Sequence, residues 1–314
     1  MQTILEEQVA RNILIRAGKL SGDSFGLRTG LLGAGGAQAG IFSAGGLHQM
    51  HDMGLYDKLD YVVAVSANAP NCAFYLSGSG PVGFPIYWDD NCKRFGFINP
   101  FRIWKMVDVS NVEETMRTRK VLDVRGIKNN PTRFFVTLTN ITGQGELFDV
   151  KSSSDVIVPV MASCELPIYS NRARLIKGKR YLDGAISLPL PVSLIAKQFH
   201  LTDLLVIINQ PNEPEIEERP IFEKIAARCL LRPYSRGLEK AFLERKIKFN
   251  LGLQEANVGI VDNGTSDGCR VAVVSPNHTI SGYCTKPEVL KAFALEGRKE
   301  MEQFFSGATV SHSV

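Results

Sequence analysis

The chain has 314 residues, 44% of them hydrophobic, enough to bury a large core in one big α/β domain. Its 36 Lys and Arg against 32 Asp and Glu leave a net charge of +4, too small and too dispersed to mark a nucleic-acid binder. The six cysteines, Cys72, Cys92, Cys164, Cys229, Cys269 and Cys284, include no C-x-x-C pair, so neither a zinc site nor a disulfide framework is indicated.

The opening stretch MQTILEEQVARNILIRAGK places Glu6, Glu7 and Arg11 where a secretory signal would be apolar. No apolar run reaches the roughly 18 residues of a membrane span, and a cytoplasmic protein is expected. Short apolar runs then recur at LRTGLLG (27–33), YVVAVS (61–66), FFVTLT (134–139), LLVIIN (204–209) and VAVVS (271–275), with helix-like stretches between several of them. Continuous apolar strands of this kind belong to a mostly parallel sheet with helices on both faces. Residues 1–24 read as an N-terminal extension, 25–305 as a single α/β domain and 306–314 as a flexible tail.

Between the first two strands lies LLGAGGAQAGIFSAGGLHQM (31–50). Glycines after a strand and before a helix let backbone N–H groups point at a negative charge. Dinucleotide binding and an oxyanion hole both use that device. For the first, Gln38 stands where the third glycine of G-x-G-x-x-G belongs, and the second strand ends in Ser66 rather than an acid. For the second, Gly35 and Gly36 would offer amides to a tetrahedral intermediate. A plain tight turn would explain one or two of the glycines as well.

The second strand leads into YVVAVSANAPNCAFYL. Ser66 there is either the cap of an ordinary helix or the nucleophile of a strand–turn–helix elbow, whose flanking positions must be small. Ala64 and Asn68 occupy those positions, and Asn68 must find room where helix and strand pack closest. If the elbow is strained, Ala64→Gly with Asn68→Gly is expected to raise turnover. A Ser nucleophile needs a base. Of the five histidines, His48 and His51 fall at a helix end and read as solvated, His278 and His312 lie in a polar loop and a tail, and none, His200 included, has a triad setting. A carboxylate remains: Asp183 in KRYLDGAISLPLPV (179–192) ends a short strand, although Asp-Gly is also a common turn signal.

Further along, FPIYWDDNCKRFGFINPFRIW (84–104) concentrates aromatics and reads as a cap over a pocket, with core packing an equal explanation. NEPEIEER (212–219) reads as an acidic loop and 221–250 as helix broken at Pro233. Residues 223–250 carry eight basic side chains against three Glu, a candidate for peripheral membrane contact or a solvated face.

Taken in order, GGAQAGIFSAGGL, VSANAPN and YLDGAISLPLPV resemble the patatin-like phospholipases, most closely their bacterial group. The likeness extends to RFGFINPFR (94–102), MASCELPIYS (161–170), PVSLIAKQF before LLVIIN, LERKIKFN (243–250) and VVSP (273–276), and covers about residues 25–305. It implies a three-layer α/β sandwich and a Ser-Asp dyad acting on lipid esters without metal or organic cofactor. Ser66 would be the nucleophile, Asp183 the base, and Gly35, Gly36 and Ala37 the oxyanion loop, with Gly184 and Ala185 completing the Asp-Gly-Ala motif. Four positions depart from the pattern. Ala64 and Asn68 replace the elbow glycines, Ala37 the third loop glycine, and Ala39 the arginine that braces the loop. A catalytically weak relative serving as a lipid- or membrane-binding regulatory module is the alternative implication.

Overall fold

A computed structural model of the chain describes residues 2–92, 107–167, 173–214 and 221–310. Nine strands among them form one mixed sheet: β1 (Thr29–Gly33), β2 (Tyr61–Ala64), β3 (Arg133–Asn140), β4 (Gly145–Asp149), β5 (Arg174–Ile176), β6 (Lys179–Asp183), β7 (Asp203–Ile207), β8 (Ile260–Val261) and β9 (Cys269–Val274). The order is β5-β6-β3-β2-β1-β7-β9-β8, and β4 adds to β3. The parallel centre, β3-β2-β1-β7-β9, is made of the five apolar runs visible in the sequence. The antiparallel strands β4, β5, β6 and β8 are short and hold exposed or half-exposed residues, so continuous hydrophobicity does not reveal most of them.

Alternation within each central strand builds two cores, because successive side chains of a strand leave opposite faces. Leu31, Val62, Ala64, Leu205 and Ile207 face one core with Val9, Ile13, Phe42, Phe293 and Met301. Leu32, Val63, Val206 and Ile208 face the other with Ile195, Phe249 and Leu253. Helices Gln2–Arg16, Ile41–Asp52 and Pro287–Val310 therefore cover one face, and Val192–Phe199 and Arg236–Val258 the other. This is the expected three-layer sandwich.

The first 24 residues are not a mere extension: Val9, Ala10, Ile13 and Leu14 are buried in the core, and Asn12 donates to the buried Asp203 at 2.9 Å. The last helix continues to Val310 with Ala308 buried, so the expected tail is helical to that point. Residues 311–314 lie outside the described residues, as do 93–104 of the aromatic stretch, all of RFGFINPFR, 168–170 of MASCELPIYS and 215–219 of the acidic loop. The basic region is two helices, Ile221–Leu230 and Arg236–Val258, interrupted around Pro233. No helix among the described residues is long and apolar enough to cross a membrane.

One feature of the sheet places the site. Strand β3 takes β2 and β6 end to end on a single edge: Val136 pairs with Ala64, and Leu138 with Asp183. On its opposite edge, both stretches of β3 face β4. The end of β6 is thereby set just beyond the end of β2, where Ser66 follows.

Candidate active site

Ser66 does not cap the helix that follows it. That helix, Asn68–Leu76, begins two residues later without a side-chain cap, and Ser66 has φ 52°, the left-handed region that non-glycine residues rarely adopt. Its half-buried side chain turns to Asp183, and Oγ donates to Oδ2 at 2.7 Å. Two sequence candidates 117 positions apart are thus in hydrogen-bond contact.

Asp183 is 1% exposed. Burial pushes its carboxyl up to about 7, against the hydrogen bonds from Ser66 and the Ala185 amide and the nearby Arg245 guanidinium; Glu165 adds to the rise. The Ala185 N–H reaches Oδ1 at 2.8 Å, so both carboxyl oxygens are held. Gly184 lies flat against the Thr137 backbone, where a Cβ would overlap it, so the glycine serves a close approach here.

The glycine loop runs beside Ser66: a Cβ on Gly35 would stand 3.2 Å from the Ser66 Cβ. Among the described residues none accepts from the amides of Gly35, Gly36 or Ala37. Ala37 has φ 50°, so the residue at the third glycine position keeps a glycine-like backbone. Gln38 is buried, donates from Nε2 to the Cys284 carbonyl at 3.1 Å and accepts from Asn91 at 3.0 Å.

Asn68 finds its room because β1 ends in a glycine. Its side chain fills the space of a Gly33 Cβ, which would lie 2.8 Å from its Cγ. The Asn68 amide donates to the Ala34 carbonyl and to Ser43 Oγ, and its oxygen accepts from Asn71. Asn209, two residues past β7, donates to the Ala34 and Gly35 carbonyls at 2.9 and 3.0 Å and accepts from Ser43 N and Oγ at 3.1 and 2.7 Å. With Ala39 in the arginine position, this closed amide–hydroxyl network braces the loop. Ala64 is buried in β2 and needs no glycine.

Sequence reasoning missed several groups around the elbow. The Ser66 N–H donates to Ser163 Oγ at 3.0 Å, and the Cys164 thiol donates to the Ser66 carbonyl at 3.1 Å. Burial, with Asp183 and Glu165 nearby, holds that thiol well above its ordinary range and so protonated. Both residues sit in MASCELPIYS, which carries no catalytic duty in the sequence reading. Asn209 had one visible signal, a polar residue closing the apolar run LLVII at the carboxyl end of a central strand, where α/β sheets bind ligands. His51 is half-buried rather than solvated, with Nε2 at 3.1 Å from the Gly78 carbonyl.

Ser66, Asp183 and the glycine loop line a cavity of about 340 Å³. Its wall includes Phe74, Ile86, Met161 and Phe249, with Arg245 and Lys246 as cationic members. Ile86 comes from the described part of the aromatic stretch. All six cysteines are free thiols, and among the described residues no three His, Cys, Asp or Glu side chains group as a metal set.

The profile of the patatin-like phospholipase family matches residues 31–196, which hold the glycine loop, Ser66 and Asp183. No curated protein matches the chain. Among solved structures, the crystal structure of VipD from Legionella pneumophila is similar over 90% of this chain and 67% of that one, with 12% sequence identity and a TM-score of 0.49.

Proposed function

The chain belongs to the patatin-like phospholipase family, whose members are lipid acyl hydrolases, and from that premise we propose that it cleaves carboxylic esters of lipids with a Ser66–Asp183 dyad. The observation that carries this reading is the 2.7 Å contact between Ser66 Oγ and a buried carboxyl at the wall of a largely apolar cavity.

Ionised Asp183 accepts the hydroxyl proton as Ser66 Oγ attacks the ester carbonyl. Negative charge then develops on the carbonyl oxygen, and the amides of Gly35, Gly36 and Ala37 stabilise it; one such donor is worth about 3 kcal/mol of barrier. Asp183 returns the proton to the leaving alkoxide, leaving an acyl-Ser66 ester. Water gives a proton to Asp183 as it adds to that ester, the bond from the carbonyl carbon to Ser66 Oγ breaks, Asp183 returns the proton to Oγ, and the carboxylic acid leaves. The Asp183 Oδ1 bond to Ala185 keeps Oδ2 aimed at Ser66 throughout.

The apolar wall suits an acyl chain, and the substrate is reached from a lipid surface through the basic helices. On Ile221–Leu230, Ile221 and Ile225 are 76% and 57% exposed, beside exposed Lys224 and Arg228. Apolar side chains among basic ones match an anionic headgroup layer. The same helix buries Ala227 against Leu182 and Ile186, the neighbours of Asp183.

Turnover of a soluble short-chain ester by wild type and Ser66→Ala tests the dyad, together with labelling by a fluorophosphonate. Hydrolysis and labelling that vanish in Ser66→Ala are expected; equal rates in both proteins would sink the reading.

A further inference from the structure

We infer that Asn209 is a positioning residue that aims the Gly35 and Gly36 amides at the reacting carbonyl, an inference that rests on the hydrolase reading above. In a planar trans peptide the C=O and the N–H of the next residue point in opposite directions. The Ala34 carbonyl shares its peptide plane with the Gly35 N–H, and the Gly35 carbonyl with the Gly36 N–H. One side-chain nitrogen, Asn209 Nδ2, holds both carbonyls, at 2.9 and 3.0 Å. Two consecutive carbonyls turned to one point turn two consecutive amides away from it.

The loop lies between Asn209 and Ser66. A Cβ on Gly36 would stand 2.9 Å from the Asn209 Cβ, and one on Gly35 would stand 3.2 Å from the Ser66 Cβ. Amides that face away from Asn209 therefore face the side where Ser66 attacks. Asn209 supplies the donor that these two carbonyls share.

Asn209 is itself fixed. It is 4% exposed, and its Oδ1 accepts from both the amide and the hydroxyl of Ser43. The Ser43 N–H demands an acceptor and the two carbonyls demand a donor, so only one orientation of the side-chain amide satisfies all of them. Ser43 stands early in helix Ile41–Asp52, directly after the loop, so the helix start, the end of β7 and the loop are locked into one unit. Asn68 also donates to the Ala34 carbonyl, but its second donor bond goes to Ser43 Oγ rather than to another loop carbonyl. Alignment of the pair therefore depends on Asn209.

A group acting this way contributes to the transition state alone, because the amides meet full negative charge only there. Asn209→Asp keeps the acceptor for Ser43 and loses the donor; Asn209→Ala removes both. Each variant is compared with wild type and Ser66→Ala on a soluble ester, with turnover expressed per site that a fluorophosphonate labels at end point. The expected result is a kcat lower by about a hundredfold or more with KM within about twofold, since a lost oxyanion donor removes binding realised only at the barrier. A purely structural Asn209 would lower the number of labelled sites and leave kcat per site within about threefold of wild type, which overturns the inference. Absence of Ser66-dependent turnover in wild type would instead fail the hydrolase reading. The inference is then decided by residual dipolar couplings of the Gly35 and Gly36 N–H vectors in wild type and Asn209→Ala: reoriented vectors support it, and unchanged vectors overturn it.

Discussion

The Ser66 hydroxyl donates to Asp183 Oδ2 across 2.7 Å, and the carboxyl it meets is buried and pushed up to about 7. A general base must be ionised, so kcat/KM for a soluble ester is expected to rise with pH through about 7 and level off above it, falling tenfold per unit on the acid side. Arg245 lies near enough to lower the Asp183 value. Arg245→Met moves the acid limb to higher pH, and a limb that stays in place would remove Arg245 from this role.

The same carboxyl sets a stability trend of the opposite sense. Its folded value is raised from 3.8, so between about 4 and 7 the native state holds a proton that the unfolded chain has lost. Stability contributed by Asp183 therefore decreases as pH rises through that window and is lowest above it. Asp183→Asn does not titrate, so its melting temperature is expected to gain on wild type from pH 5 to pH 8. Parallel curves for the two proteins would contradict this.

Asn68 and Gly33 interlock, which reverses the expectation that glycines at both elbow positions would raise turnover. Asn68→Gly leaves the Ala34 carbonyl one donor short and Ser43 without its Asn68 contact, in a fully buried place. A loss of about 1–3 kcal/mol of stability is expected in thermal or urea denaturation, with turnover reduced. Ala64→Gly alone removes a buried methyl from β2 and offers no compensating gain.

Ala37 holds φ 50° at the third loop position. A left-handed backbone with a Cβ costs about 1–2 kcal/mol, part of which glycine gives back through unfolded-chain entropy. Ala37→Gly is expected to raise stability by about 1 kcal/mol net, measured as a shift in denaturation midpoint. A midpoint that falls would show the surroundings relieve this strain.

Lys224 and Arg228 stand beside exposed Ile221 and Ile225 on the helix that packs next to the Asp183 strand. Lys224→Glu with Arg228→Glu is expected to reduce sedimentation with anionic vesicles, roughly 1 kcal/mol per basic residue lost, and more for the reversed charge. Turnover of a soluble ester should remain that of wild type. Equal vesicle binding by the two proteins would take the helix out of the docking role.

Residues alone disclosed the parts that depend on local chemistry. Five apolar runs announced the parallel centre because strands buried on both faces are hydrophobic at every position. The order of three motifs announced Ser66, Asp183 and the glycine loop by resemblance, although read singly Ser66 favoured a helix cap, Asp183 favoured a turn, and a tight loop explained one or two of the glycines. The half-exposed strands β4, β5 and β8 stayed hidden, because short segments open to solvent show no such run.

What the order of amino acids determined by itself was the layered sheet and the chemical types available at its strand ends. What the folded chain decided was their meeting. Ser66 reaches Asp183, 117 positions away, because β2 and β6 each pair by backbone hydrogen bonds with one shared edge of β3. Ser163 and Asn209 acquire their roles in the same way. Their hydrogen bonds serve backbone groups of other elements, and no local periodicity or spacing records which backbone a side chain will face once the strands are side by side.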